Sequence, residues 1–235
     1  MDAPSRWVKK LWDTSCETEI ADILAAITDH YGLSVYAVLN VPSETSTELA
    51  SNILLTNWPE DMLRRYDQAG MIHSSPVMGK LRHSTNPFTY DLRSSGKGTD
   101  PRGSLALDLF GRYGLWRSAF FPAHTSSGQR GALAFGGERE LLSPREMTEL
   151  NAIANLTFGK VLDFRSDQRR AVSLSQREIE CLSWASAGKT SIEMSEILGL
   201  SEYTVNHYLN RATRKLDAVN RVQAVAKAVR AGLLT

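Results

Sequence analysis

Cysteine is nearly absent from this chain. Cys16 and Cys181 stand far apart, so neither a disulfide framework nor a cysteine metal cluster is expected. Each falls in a predicted helix and reads as a reduced packing residue. The five histidines, His30, His73, His83, His124 and His207, show no close ligand spacing, so no metal site is expected. No apolar run reaches the ~20 residues that cross a bilayer. Lys9 and Lys10 lead into no apolar stretch, so no signal peptide is expected and the chain reads as cytoplasmic. Nucleophile-elbow, P-loop and dinucleotide fingerprints are missing. The glycines of GKGTDPRG have no strand leading in and no helix placed to receive phosphate, so they read as a flexible loop. An enzyme is disfavoured and no cofactor is expected. Internal repeats and low-complexity tracts are also lacking.

Net charge is small too, at +1, but it is unevenly spread. Residues 166–235 hold ten Lys/Arg against seven Asp/Glu, and the remainder holds seventeen against nineteen. Only the C-terminal part is basic, which suits nucleic acid there and not elsewhere.

That part is rich in helix punctuation. Ser175 with Glu178, and Thr190 with Glu193, are capping boxes that start two helices. Ile179, Leu182 and Ala185 give the first an apolar stripe, and Gly188 supplies its positive-φ stop. Met194, Ile197 and Leu198 are expected to turn inward from the second, and Gly199 permits the sharp turn out. Ser201 caps a third helix with Val205, Leu209, Ala212 and Leu216 on its buried face. Asn220 caps a fourth, carrying Val222, Val225 and Val229. Two short helices joined by a tight glycine turn are a helix-turn-helix signal. The third helix is then the reader of double-stranded DNA. Asn206, His207 and Asn210 lie off its apolar stripe and are expected at base edges. Lys189, Thr190, Arg211, Arg214 and Lys215 complete the expected DNA-binding set, the four cations as phosphate contacts.

Upstream the pattern is α+β. Residues 3–12 form a short amphipathic helix with Trp7, Val8, Leu11 and Trp12 on one side. Thr14 followed by Glu17 is expected to cap a helix carrying Ile20, Ile23, Leu24 and Ile27, ended by Gly32. Strands are expected at 33–40, 52–56, 87–92, 116–123 and 131–135. Helices are expected from Pro59 to Gln68, after Ser75-Pro76, from about Ser104 to Tyr113, and from Ser143 toward Phe164. SSGKGTDPRG reads as a turn-rich loop, and SDQRRAVS, residues 166–173, as a linker. The expected architecture is an N-terminal α-β-α sandwich around an antiparallel sheet, residues 1–165, and an all-α four-helix domain, residues 174–235.

The C-terminal stretch resembles the DNA-binding domain of LuxR-type regulators over essentially its full length. The matching residues are LSxREIECLxWxAxGKT from Leu174 to Thr190, then EM and SEILGLS to Ser201, Thr204-Val205, Lys215-Leu216 and AVAKA. Tyr208 departs from the usual His. The N-terminal region resembles the autoinducer-binding domain of the same family, which binds acyl-homoserine lactones between sheet and helices. NWPEDMLRRY from Asn57 to Tyr66, SPV from Ser75, FTY from Phe88 and SAFFP from Ser118 keep its frame.

Their contents differ. Met62 stands where the family's Trp bonds the lactone carbonyl, and Met cannot donate. Ser75 stands for an Asp that accepts the ligand amide. Tyr90 replaces a Trp, and Ser118 a Gly. Only Tyr66 keeps its polar role. The resemblance thus implies a LuxR-type quorum-sensing regulator with a remodelled or absent lactone site. It also implies a homodimer on a two-fold DNA site, with Val222, Val225 and Val229 as dimer candidates. The alternative is a ligand-independent regulator, or an inhibitor acting by heterodimerisation with a sister protein.

Overall fold

The computed structural model describes residues 3–95, 101–126, 128–169 and 174–234. The chain divides into two compact units, Met1–Phe164 and Arg165–Thr235.

The first unit is built on one antiparallel sheet. Its strands are β1 (Val35–Asn40), β2 (Ile53–Thr56), β3 (Phe88–Asp91), β4 (Arg117–His124) and β5 (Arg130–Gly137), in the order β2-β1-β5-β4-β3. Successive side chains point to opposite faces, and both faces are covered, which makes the α-β-α sandwich. On one face, here the front, α1 (Ala3–Trp12), α2 (Glu17–His30) and α7 (Pro144–Arg169) pack onto Tyr36, Val38, Phe121, Leu133 and Phe135. On the back, α3 (Glu60–Gln68), α4 (Pro76–His83) and α6 (Pro101–Gly111) cover Val35, Ala37, Leu39, Phe120, Ala132 and Ala134. A single turn, α5 (Leu92–Ser95), follows β3.

Several local expectations are corrected. Trp7 and Leu11 are buried, but Trp12 is 63% exposed. Thr14 does not cap α2. Its hydroxyl donates to the Leu11 carbonyl at the end of α1, 2.7 Å away, and Cys16 occupies the N-cap without a side-chain bond. Ser15 instead donates its N–H to Glu19, 2.7 Å away. The α6 helix starts at Pro101, not Ser104, with proline suited to a first turn whose N–H has no helical partner. Ser94 and Ser95 of the expected loop are helical, and residues 96–100 lie outside the described residues. Ser143 and Glu146 do form a capping box, with the Ser143 N–H 2.7 Å from Glu146 Oε2. The α7 helix runs on to Arg169, into the segment expected to be linker, because SDQR offers no glycine or proline to stop it. Residues 170–173 lie outside the described residues.

The second unit comprises α8 (Gln176–Ser186), α9 (Ser191–Leu198), α10 (Glu202–Lys215) and α11 (Arg221–Arg230). Both capping boxes form, Ser201 and Asn220 cap their helices, and Gly188 and Gly199 sit at φ 81° and 64°. Cys181, Leu182, Met194, Val205, Leu209, Ala212, Ala224 and Ala228 make the core. Ile197 faces out, 45% exposed. Met194 and Leu198 suffice to seat so short a helix, and a third apolar position one residue before Leu198 falls off the stripe. No described helix is long and apolar enough to cross a membrane.

Candidate functional site

A cavity of ≈ 360 Å³ opens between the back of the sheet and its helices. Its floor follows from strand register. Val35 pairs with Gly136, Gly136 with Ser118, and Ser118 with Tyr90, so four cavity residues form one row across four strands. The next row on the same face carries Ala134 and Phe120, also in the wall. Small residues at 134 and 136 leave the floor low in the middle. A methyl added at Gly136 would meet the Ser118 hydroxyl at 3.4 Å.

The helices supply the roof. Tyr66 comes from α3, and its ring meets Phe110 of α6 edge-on, with centroids 6.0 Å apart. Ser75 is the N-cap of α4, accepting the Met78 N–H at 3.3 Å. The far end of α4 is held by Arg130, whose guanidinium donates to the carbonyls of Leu81 at 2.9 Å and Ser84 at 3.1 Å. Burial pushes the Tyr66 phenol up to about 12, while a hydrogen bond with the Ser75 side chain pulls the other way. Tyr66 is therefore a neutral hydroxyl across the physiological range.

Tyr66 and Ser75 from the roof and Tyr90 and Ser118 from the floor thus line one cavity. Met62 does not join them. It is fully buried in the same core, but its side chain packs among neighbours and lines no part of the cavity. Residues that sequence reasoning passed over also line it, among them Leu49, Trp58, Met71 and Phe110. Trp58 lay inside the quoted NWP motif. Leu49 is fixed by Asp67, whose carboxylate accepts the Leu49 N–H at 2.6 Å and the Ala50 N–H at 3.1 Å.

Among the described residues, no Asp, Glu, Lys, Arg or His lines the cavity. Its polar groups are hydroxyls and one indole. A bare charge there would lose hydration without gaining a partner. The wall therefore suits an uncharged molecule with a long apolar part and a small hydrogen-bonding head.

In the second unit, α9, the Gly199 turn and α10 form the helix-turn-helix. At about 100° per residue, Tyr203, His207, Asn210 and Arg214 fall within one narrow arc, opposite Val205, Leu209 and Ala212. All four crest residues are exposed.

The other expected contacts are engaged within the unit. Asn206 accepts from the Ser191 hydroxyl at 2.7 Å, tying α10 to α9. Thr190 caps α9, and Lys189 lies 3.0 Å from Glu193. The Thr190 backbone N–H, then Lys189, hold Glu193 down at about 2. Arg211 and Lys215 lie 3.3 and 2.7 Å from the carboxylate of Glu178, which is fully buried. Burial pushes that carboxyl up, but Lys215 and the Ser175 N–H outweigh it, and the net shift is downward. Of the four expected phosphate contacts, Arg214 keeps its guanidinium free of a described partner. In the expected dimer set, Val222 and Val229 are 78% and 46% exposed, whereas Val225 packs partly against its own core.

Comparison with known proteins divides the chain at the same place. Residues 17–161 match the model of the autoinducer binding domain, and residues 172–228 that of the luxR family of bacterial regulatory proteins. The transcriptional activator AhyR of Aeromonas hydrophila is 31% identical over 225 residues, covering 92% of this chain and 85% of its own. BjaR1 of Bradyrhizobium diazoefficiens, also a transcriptional activator, is 30% identical over 208 residues, covering 88% and 86%. The crystal structure of Escherichia coli SdiA shares the fold, with TM-score 0.73 and 20% identity over 98% of this chain and 97% of that one.

Proposed function

The chain belongs to the LuxR family of quorum-sensing transcriptional regulators, and from that premise we propose that it is a dimeric regulator whose DNA binding answers to an uncharged amphiphile held in the sheet cavity. The observation that carries this reading is the cavity itself, ≈ 360 Å³, with no charged side chain among the described residues that line it. Tyr66 and Ser75 in its roof and Tyr90 and Ser118 in its floor carry hydroxyls, each able to donate and to accept. With Met62 out of the wall and Ser75 neutral, an acyl-homoserine lactone would find no charged acceptor for its amide. The reading is therefore of an atypical member that binds such lactones weakly. Homodimerisation is supported by the exposed pair Val222 and Val229 on α11.

Native mass spectrometry of the purified full chain, with thermal shifts across acyl-homoserine lactones and uncharged acyl esters, tests the reading. A ligand at 100 times its Kd stabilises by about 2.7 kcal/mol. The expected result is a shift of several degrees with an uncharged amphiphile and little with the lactones. Equal or larger shifts with the lactones would show an ordinary pocket. Undisturbed midpoints with intact DNA binding would favour the ligand-independent member, or one that pairs with a sister regulator.

A further inference from the structure

Tyr203 is 83% exposed and sits on the first turn of α10. Nothing in its own unit covers the ring, and no described contact holds it. An aromatic side chain left in water at that position has a cost unless a partner covers it. The partner's nature follows from the helix. The N-terminal half of the second helix of a helix-turn-helix is the part that enters the major groove. Tyr203 shares its arc with His207, Asn210 and Arg214, on the side directly away from Val205 and Ala212. Asn206, one turn on, is turned aside by its 2.7 Å bond to Ser191.

We propose that Tyr203 is a base-reading residue that packs its ring on a thymine methyl, and that this helix therefore reads an A·T-leaning core. The inference rests on the DNA-binding reading above and adds a residue and a base to it. The chemistry of the crest supports the preference. The bidentate reader of guanine is arginine or lysine, and the crest holds neither until Arg214, in the last turn of α10. Asn210 offers the bidentate fit to adenine, and an apolar face is what reads the thymine methyl. His207, between them, can bond a purine edge. Glu202, exposed beside Tyr203 on the same turn, brings a negative charge that disfavours a phosphate contact there. The first turn therefore contacts bases and not backbone.

The test uses the full chain and a random duplex library. Wild type is expected to select a half-site with a fixed thymine. Replacing that thymine by deoxyuracil, which removes only the methyl, should weaken binding about fivefold. The same swap should leave Tyr203→Ser unaffected, and Tyr203→Phe should behave as wild type. Since the side chain stands in solvent, neither variant disturbs the core, and circular dichroism checks this. Four results overturn the proposal: an unchanged selected sequence with Tyr203→Ser, equal weakening of all sequences, a deoxyuracil effect that survives in Tyr203→Ser, or loss of the thymine preference with Phe. If wild type selects no sequence at all, the DNA-binding reading falls with it.

Discussion

The front and back of the sheet in the first unit are made by the same strands, yet one is solid and the other hollow. Along β5 the front-facing residues include Leu133 and Phe135, and the back-facing ones are Ala132, Ala134 and Gly136. On the front, Phe121, Phe135 and Phe158 are almost fully buried, and Gly131 exists to let Phe158 approach the strand. On the back, the same stretch of sheet leaves ≈ 360 Å³ unfilled. The charged groups divide likewise. The front is fastened at its edge by Arg139 and Glu146, 2.8 Å apart, whereas no charged residue lines the cavity among those described. One strand thus gives a filled face and an open one by alternation alone. Burying apolar area on the front contributes folding energy, and small residues on the back leave space open.

The sharpest way to break this contrast is one substitution made on both sides. A Cβ at Gly131 would lie 2.0 Å from Phe158 Cε2 and 2.7 Å from the Leu39 carbonyl. The second obstacle is backbone and cannot swing away. Gly131→Ala should therefore cost roughly 3 kcal/mol or more, at the upper end of overpacking. At Gly136 the nearest atoms are the ends of Val35 and Ser118, at 3.3 and 3.4 Å. Gly136→Ala should cost less than about 1 kcal/mol. Urea denaturation of the two variants checks the difference. Similar losses would mean that the two faces are not separable in this way.

The acid response sharpens the same contrast at the edge of the front. Glu146 lies in the first turn of α7, and Arg139 also donates to the Tyr31 carbonyl at 2.6 Å, so the pair pins α7 to the end of α2. The Arg139 guanidinium, with the Ser143 N–H, holds the Glu146 carboxyl at about 2. A folded value below the unfolded one contributes stability that is present above the unfolded value and lost as pH falls through the folded one. The window is therefore from about pH 5 down to about 2. For a pair about a quarter exposed, the loss should be on the order of 1–2 kcal/mol after solvent screening. Glu146→Gln removes this titration. The stability gap between wild type and variant should narrow from pH 7 to pH 3, and a constant gap would show that the pair does not hold the helix.

The sequence disclosed what is local. Ser175 with Glu178 and Thr190 with Glu193 act within three residues, and both boxes form as expected. Thr14 does not cap because α2 starts later, with Cys16 in the N-cap position, and the Thr14 hydroxyl donates back to the Leu11 carbonyl, three residues behind it. Trp12 and Ile197 show that periodicity marks a stripe without fixing its edge. Glu178 was visible as a capping residue, but Arg211 and Lys215 reach it from a helix more than thirty residues away, so its second role was hidden. The resemblance pointed to Tyr66, Ser75, Tyr90 and Ser118, but the floor that Val35 and Gly136 complete was hidden for a related reason. Val35, Gly136, Ser118 and Tyr90 become one row only through the pairing of β1, β5, β4 and β3. Tyr203 carried no periodic signal, since an exposed residue is by definition off the stripe.

The smallest effect on stability should come with the largest on function. Ala134 lies on the low floor of the cavity, between Ala37 and Phe120 in register, and is 4% exposed. Leucine there adds three carbons into empty space and not into packed atoms. Filling a void restores contacts that its lining lacks, so Ala134→Leu should change stability by less than about 1 kcal/mol, toward gain. The same carbons occupy the position a ligand's apolar part must take. A thermal shift seen in wild type with an uncharged amphiphile should therefore vanish in the variant, while the DNA affinity of the unliganded chain is unchanged. On the front the same volume change would be felt as strain, since cores there have no room for an added methylene. If Ala134→Leu destabilises by several kcal/mol, the back face is as tightly packed as the front and the cavity is not a site. If it leaves the ligand shift intact, the ligand sits elsewhere. Loss of the shift at unchanged stability is the result that only a binding cavity on this floor predicts.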